Sequence, residues 1–191
     1  MLKDQDILDL LKRLNVLREG HFHLTSGRHS DRFLLCSQLT MYPQETKKIM
    51  QELAQRVRDA GLNPTVIVGP AMGGVILAYE LASCLGECRA IFTEKEGDGM
   101  SLKRGFELKD DDRILVVEDA VSTGGSVQKA IDCLKDKPGE LIGVAILFDR
   151  TKGKVNFGVP LVSLMDIEIT SWDPAECPLC KTQEPLIFPK A

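Results

Sequence analysis

The residues from Glu118 to Ser126 combine two carboxylates, three hydroxyls and two glycines directly after an apolar stretch. Glycines let a backbone turn so that several N–H groups point in one direction, and a helix that begins at the end of such a turn adds its own free N–H groups. The lysine and the spacing of a nucleoside-triphosphate P-loop are absent. The segment therefore predicts a cradle for a terminal phosphate that is held and not transferred.

The two acids at the start of this segment have a separate predicted role. Glu118 and Asp119 would repel a phosphate placed directly on them, so we expect them to face a sugar. Carboxylates accept hydrogen bonds from ribose hydroxyls and stabilise positive charge at an anomeric carbon. The alternative is that Asp119 caps a turn and that the Ser-Thr-Gly-Gly run only begins a helix.

The elements around this segment alternate in a regular way. Apolar, β-branched runs predict strands at 65–68, 89–93, 113–117, 141–148 and 161–165, and helical periodicity predicts helices at 43–60, 74–85 and 125–134. Such alternation is typical of an α/β fold with a parallel sheet that is covered by helices on both faces. Ligands bind at the carboxyl ends of these strands, where we expect four segments to meet: 69–74, 94–96, 118–126 and 149–150.

Composition limits the possible functions. The 191 residues suit a single domain, with a head over residues 1–40 and a tail over 170–191. The net charge of −4 argues against a nucleic-acid binder. No apolar run reaches the ~20 residues of a membrane span, and the charged N-terminus does not resemble a secretory signal. Six cysteines without such a signal lead us to expect reduced thiols and a cytoplasmic protein.

The stretch from Val116 to Ser126 resembles the signature of the type I phosphoribosyltransferases, and most closely that of their orotate phosphoribosyltransferase family. Residues 20–30 resemble that family's N-terminal hood over the base, residues 69–74 resemble its pyrophosphate loop, and Phe148-Asp-Arg150 resembles the strand end that supplies an arginine to orotate. The resemblance covers nearly the whole chain. It implies the type I phosphoribosyltransferase fold, a parallel sheet with helices on both faces and a small N-terminal hood.

The resemblance also implies a reaction. Orotate and 5-phosphoribosyl 1-pyrophosphate would give orotidine 5′-monophosphate and pyrophosphate, with Mg²⁺ held largely by substrate oxygens and water. We therefore expect no protein metal site. The resemblance further implies a homodimer in which a mobile loop of one subunit covers the site of its partner.

Roles for individual residues follow from the same resemblance. Catalytic roles are implied for Glu118, Asp119, Lys95 and Lys103. Phosphoribosyl pyrophosphate binding is implied for Ala71, Met72, Gly73, Lys95, Arg104, Glu118, Asp119, Ala120, Val121, Ser122, Thr123, Gly124, Gly125 and Ser126. Orotate binding is implied for Ser26, Gly27, Phe33, Ser122 and Arg150.

Two positions and one segment depart from the family pattern. Gly73 and Thr25 stand where many relatives have lysine. The predicted lid between Phe92 and Gly105 contains no histidine and includes three acids, which leaves Lys95, Lys103 and Arg104 as its cations. We still expect this segment to serve as the lid.

Two further groups of residues could bind a metal. His21, His23 and His29 lie near the hood, and Cys177 and Cys180 form a C-x-x-C in the tail. A zinc site needs four ligands, so we interpret the histidines as polar hood positions and the cysteines as part of a tail turn. A metal shared across a dimer is the weaker alternative.

Two other functions remain open. One is a phosphoribosyltransferase for a different base, such as a purine, although the segment Leu24–Ser30 is not expected in that class. The other is a regulator that senses the phosphoribosyl donor without turnover. Such a regulator would need a nucleic-acid-binding surface, which the negative charge disfavours.

Overall fold

The computed structural model describes residues 2–24 and 26–189, which fall into two compact units. Thr25 lies outside the described residues. The first unit is Pro43–Ile167, and the second joins Leu2–Tyr42 to the chain from Glu168 onward. In chain order the elements are α1 (Asp4–Arg13), β1 (Leu17–His23), β2 (His29–Leu34), α2 (Ser37–Thr40), α3 (Pro43–Asp59), β3 (Val66–Pro70), α4 (Gly73–Leu85), β4 (Arg89–Glu96), β5 (Gly99–Leu102), β6 (Arg113–Val121), α5 (Gly125–Leu134), β7 (Glu140–Asp149), β8 (Leu161–Asp166), β9 (Ser171–Trp172) and α6 (Pro178–Lys181).

A six-stranded sheet forms the centre of the first unit, in the order β5-β4-β3-β6-β7-β8. All neighbouring strands are parallel except β5, which runs antiparallel to β4. The predicted α/β class and the mostly parallel sheet are confirmed. Because Pro70 pairs with Thr93 and Val121 pairs with Asp149, the carboxyl ends of these strands line one edge, as predicted for the four polar segments.

The core of the first unit explains why this sheet forms. Val66, Val68 and Val116 share an apolar cluster with residues of α5. The intervening Ile67 and Leu115 are fully buried outside that cluster, and α4 contacts β3 and β6. Since successive side chains of a strand point to opposite faces, α4 and α5 cover the two faces of the sheet. Strands buried on both faces must be apolar throughout, which is the pattern that predicted them.

The second unit contains a three-stranded antiparallel sheet in the order β1-β2-β9. His29 pairs with Trp172, and Ile187 forms a bridge to the buried Phe22. The head and the tail of the chain therefore fold together, a pairing that the sequence analysis did not predict. No helix within residues 2–24 and 26–189 has the length and apolar character needed to cross a membrane.

Candidate active site

The predicted phosphate cradle lies between the end of β6 and the start of α5. Gly124 precedes the helix with φ of +81°, a left-handed conformation that favours glycine. A Cβ added at Gly124 would lie 3.0 Å from a ring carbon of Phe157 and 3.2 Å from a methyl of Val155. The backbone conformation thus favours glycine here, and a side chain would in addition crowd Phe157 and Val155.

The cradle presents unused hydrogen-bond donors. In the part of the chain that the structure describes, the backbone N–H groups from Ser122 to Ser126 have no protein acceptor. Ser122, Thr123 and Ser126 are exposed and line a small open pocket that extends to Glu118. Free N–H groups at the positive end of a helix dipole, together with hydroxyls, form a binding site for a phosphate.

The two acids at the start of the cradle differ in exposure. Glu118 is only 7% exposed, and its burial, with a further contribution from the charge of Asp119, raises the pKa of Glu118 to about 7. Asp119 is partly exposed beside it. At neutral pH the pair therefore carries less than two negative charges, which eases the approach of an anionic substrate.

The predicted pyrophosphate loop lies against these acids. A Cβ added at Gly73 would lie 3.1 Å from Oδ2 of Asp119 and 3.6 Å from Oε1 of Glu118. The peptide bond between Ala71 and Met72 is cis, and the N–H of Ala71 donates to the Thr93 carbonyl over 2.8 Å. A side chain at position 73 would therefore begin directly beside Asp119. Here glycine leaves the backbone of the loop open to a ligand.

Two further glycines, Gly69 and Gly74, shape this loop. Neither is among the residues to which the sequence analysis assigned a binding role. A Cβ added at Gly69 would collide with the carbonyl oxygen of Gly74, and one added at Gly74 would lie 2.9 Å from Cα of Gly69. The end of β3 and the start of α4 therefore touch backbone to backbone. The glycine-rich spacing of residues 69–74 was the available sequence signal.

The predicted lid has a different structure from the one expected. Residues 94–102 were predicted as a loop. Residues 94–96 instead extend β4 and pair with β5, residues 99–102, in a hairpin. A two-residue turn, in which Gly97 has φ of +55°, closes the hairpin. Lys103 pairs with Glu96 over 3.1 Å, and Arg104 pairs with Glu94 over 2.8 Å. Two of the three acids in this segment, Glu94 and Glu96, therefore pair with Arg104 and Lys103.

Lys95 differs from the other two cations. It is exposed on β4, and it forms no ion pair with another residue in the described ranges. Its neighbours Glu94 and Glu96 point to the opposite side of the strand, where they meet Arg104 and Lys103.

Arg150 follows β7 at the same edge of the sheet. Its backbone N–H donates to the Val121 carbonyl over 2.9 Å, which ties it to the start of the cradle. Asp149, which is buried, accepts hydrogen bonds from the backbone N–H groups of Thr151 and Gly153 and so holds the turn that follows. The structure thus brings Arg150, the cradle, the two acids and the loop at Ala71–Gly73 to one edge of the first unit.

The three other residues predicted to contact orotate lie in the second unit. Ser26 and Gly27 belong to the turn between β1 and β2, where the N–H of Gly27 donates to the Leu24 carbonyl over 2.9 Å. Phe33 lies in β2, with its ring centroid 5.7 Å from that of Phe22.

Comparison with known proteins identifies the family. Residues 36–174 match the family model described as a phosphoribosyl transferase domain. The chain is 45% identical to the orotate phosphoribosyltransferase of Heliobacterium modesticaldum, over 99% of this chain and 98% of that protein. The enzyme of that name from Caldanaerobacter subterraneus is 43% identical, over 98% and 97% of the two chains. The chain belongs to the orotate phosphoribosyltransferase family.

A solved structure of this family has a similar fold. The orotate phosphoribosyltransferase of Mycobacterium tuberculosis, in complex with Fe(III) dicitrate, superposes with a TM-score of 0.72 at 26% identity, covering 84% of this chain and 94% of that one. The same enzyme in complex with 5-phospho-alpha-D-ribosyl 1-diphosphate superposes with a TM-score of 0.68. Solved orotate phosphoribosyltransferases thus share the fold of this chain.

One further group of reactive side chains was missed by the sequence analysis. His21, His29, Cys177 and Cys180 meet in the second unit, with one ligand atom of each lying within 4.8 Å of the others. His21 and His29 lie more than a hundred residues before the C-x-x-C of Cys177 and Cys180, so their spacing in the chain does not indicate a common site. In the sequence analysis the histidines are interpreted as hood positions and the cysteines as a tail turn, and the two groups are considered separately.

Proposed function

We propose that the chain transfers the 5-phosphoribosyl group of phosphoribosyl pyrophosphate to orotate, giving orotidine 5′-monophosphate and pyrophosphate. One observation carries the proposal: the two acids lie between a phosphate cradle on one side and the open backbone of Gly73 on the other. A ribose that carries phosphate groups at both ends fits this order. Full-length similarity to orotate phosphoribosyltransferases supports orotate as the acceptor.

Each part of the donor has a corresponding part of the site. The 5′-phosphate is held by N–H groups and hydroxyls from Ser122 to Ser126, and the pyrophosphate meets the backbone at Ala71–Gly73. Glu118 and Asp119 accept hydrogen bonds from the ribose hydroxyls. As the bond to pyrophosphate breaks, positive charge develops on the ribose ring, and Asp119 stabilises that charge.

We expect the donor to bind as its Mg²⁺ complex. Within residues 2–24 and 26–189, the only group of three or more His, Cys, Asp or Glu side chains positioned to hold a metal lies in the second unit. The two acids of the candidate site fit an ion that takes most of its ligands from the pyrophosphate and water. When bound, Mg²⁺ neutralises negative charge on the leaving group.

The base is assigned to Arg150, Ser122 and the hood residues. Arg150 supplies a guanidinium that can pair with the orotate carboxylate, and charge-assisted hydrogen bonds of this kind determine orientation and selectivity. The hydroxyl of Ser122, which belongs to the cradle, can donate a hydrogen bond to the base or accept one from it. Ser26, Gly27 and Phe33 keep the orotate-binding role that the resemblance to the family implies.

The proposed assembly is a homodimer. Met72, which directly precedes α4, follows helical spacing with Ile76 and Tyr79 on the helix, and the three are 85%, 50% and 70% exposed. A contiguous row of exposed large apolar side chains on one helix indicates a surface that binds another protein. A second copy of the same row suits the two-fold symmetry of most homodimers. None of the six cysteines, all of which lie in the described residues, forms a disulfide, which agrees with the proposed cytoplasmic location.

A single assay tests the proposed reaction. The purified protein, supplied with phosphoribosyl pyrophosphate and Mg²⁺, should consume orotate and release pyrophosphate, and should turn over adenine, guanine and hypoxanthine poorly. Asp119→Asn should lower turnover by about 100-fold because it removes charge without changing shape, while the melting temperature stays near that of the wild type. Comparable turnover of a purine base, or near-normal turnover of Asp119→Asn, would contradict the assignment.

The same assay separates base binding from donor binding. Arg150→Ala should raise KM for orotate much more than KM for the donor, because its guanidinium is assigned to the base alone. Lys154→Ala, which removes an exposed cation from the same turn, is the matched control and should change neither. Equal increases in both KM values would indicate that Arg150 supports the site structurally. Donor binding without turnover of any base would favour the regulator.

A further inference from the structure

Two imidazoles and two thiols converge in the second unit, in a cluster that the proposed reaction does not use. Nε2 of His21 lies 3.0 Å from Nδ1 of His29 and 3.5 Å from Sγ of Cys177. Sγ of Cys180 lies 3.6 Å from the first of these nitrogens and 3.2 Å from the second. All four atoms face one another, and they come from the β1–β2 hairpin and the chain segment around α6.

These separations match those around a tetrahedral metal. With zinc–sulfur bonds of about 2.3 Å and zinc–nitrogen bonds of about 2.0–2.1 Å, tetrahedral geometry separates a sulfur from a nitrogen by about 3.5 Å and the two nitrogens by about 3.3 Å. The measured distances of 3.0–3.6 Å lie within a few tenths of an ångström of these values. Four of the six separations thus match those around a tetrahedral ion, and the remaining two, from Cys177 to Cys180 and from Cys177 to His29, do not exceed 4.8 Å.

The surroundings of the cluster also suit a metal site. Cys177, His21 and His29 are buried, and Cys180 is the one exposed member. Nδ1 of His21 lies 2.9 Å from the Glu184 carbonyl oxygen, to which it can donate. That hydrogen bond leaves the lone pair of Nε2 directed at the cluster, and a second partner of this kind is typical of metal-binding histidines.

We propose that His21, His29, Cys177 and Cys180 bind a structural Zn²⁺ that joins the β1–β2 hairpin to the C-terminal segment. A set of two sulfur and two nitrogen ligands in tetrahedral arrangement selects zinc, and four protein ligands leave no open position for catalysis. The ion is thus separate from the Mg²⁺ of the proposed reaction. Only two residues separate Cys177 from Cys180, and this C-x-x-C spacing at the start of α6 is typical of zinc-binding cysteine pairs.

Metal content of the untagged protein, purified without chelators, tests this site independently of any enzymatic activity. We expect close to one zinc per wild-type chain. His29→Gln and Cys180→Ser should each lose most of the zinc, because a closed site with three ligands holds the ion poorly. His23→Gln is the matched control: its ring stacks on Phe188 outside the cluster, and it should retain full zinc content.

A second measurement uses only the wild-type chain, in case the variants fold poorly. Removal of zinc by a chelator should lower the melting temperature, and re-addition of Zn²⁺ should restore it. Co²⁺ added to the metal-free protein should give the visible absorption of a tetrahedral thiolate complex. The proposal is overturned if the wild type carries negligible zinc and gives no such absorption, if zinc content is unchanged in His29→Gln, or if Cys177 and Cys180 are isolated as a disulfide with no thiol available.

Discussion

Glu118 and Asp119 are neighbours in sequence, but their surroundings give them different chemistry. Both lie near the carboxyl end of β6, after its run of buried apolar residues, and therefore at the edge of the sheet. Glu118 is buried and the pKa of its carboxyl is raised to about 7, whereas Asp119 lies partly exposed next to Gly73. The sequence identified both residues by type and position. It could not show which of the two is buried, because that depends on elements distant in the chain.

The raised pKa of Glu118 predicts a pH-dependent effect on stability. Below about pH 4.5 this side chain is protonated in both the folded and the unfolded chain. As the pH rises from 4.5 towards 7, the unfolded chain loses the proton while the folded chain retains it, so folding becomes less favourable. Above pH 7 the folded chain carries the full free-energy cost of burying the charged carboxylate. A pKa shift from 4.5 to about 7 corresponds to ~3 kcal/mol.

Glu118→Gln should therefore stabilise the fold at pH 8 by up to ~3 kcal/mol, and the gain should shrink towards zero near pH 5. Urea denaturation midpoints at the two pH values measure the difference. Glu107→Gln, which neutralises an exposed acid of the same unit, is the control and should show no such trend. A gain of equal size at both pH values would mean that the carboxyl of Glu118 does not titrate as proposed.

At the scale of elements, the sheet was predictable and the hairpin was not. Strands such as β3 and β6 are buried on both faces, so their apolar, β-branched runs stand out in the sequence and predicted their positions to within a few residues. The segment Glu94–Leu102 contains acids, lysine and glycines, which have low strand propensity. Its strand structure depends on pairing between β4 and β5 and on the ion pairs of Lys103 and Arg104.

Substitutions of the two partners of the Lys103–Glu96 ion pair should affect turnover differently. The pair is exposed, and such pairs add little to stability. If Lys103 moves from Glu96 to the pyrophosphate during catalysis, Lys103→Ala should raise KM for the donor and lower turnover strongly. Glu96→Gln breaks the same pair but retains the cation, so its turnover should stay close to that of the wild type.

Steady-state kinetics of these variants, with Lys95→Ala measured alongside, shows which lysine acts. Lys95 is the alternative because it is exposed and has no ion pair within the described part of the chain. Similar losses in Lys103→Ala and Glu96→Gln would indicate that the ion pair only maintains the hairpin. A loss confined to Lys95→Ala would transfer the catalytic role to that residue.

At the scale of the whole molecule, contacts between distant parts of the chain were the hardest to predict. The pairing of β2 with β9 joins residues more than a hundred positions apart, and the cluster of His21, His29, Cys177 and Cys180 depends on the same convergence. Local periodicity carries no information about such pairs. A single sequence shows the ligand types, and only the fold shows that they meet.

The proposed dimer leads to a prediction about how its two sites are assembled. If the hairpin covers the site of the partner subunit, each site combines Asp119 of one subunit with Lys103 of the other. A dimer of one Lys103→Ala subunit and one Asp119→Asn subunit then has one site with both defects and one with neither. If the hairpin instead covers the site of its own subunit, both sites of that dimer contain one defect.

Mixing the two inactive variants distinguishes these arrangements. After unfolding and joint refolding of equal amounts, half of the dimers are mixed, and each has one intact site, so activity should recover to about a quarter of that of the wild type. Purification of mixed dimers through two different affinity tags should raise this value to about half. Each variant refolded alone controls for spontaneous recovery. Mixed dimers that form but stay as inactive as their parents would show that the hairpin acts within its own subunit.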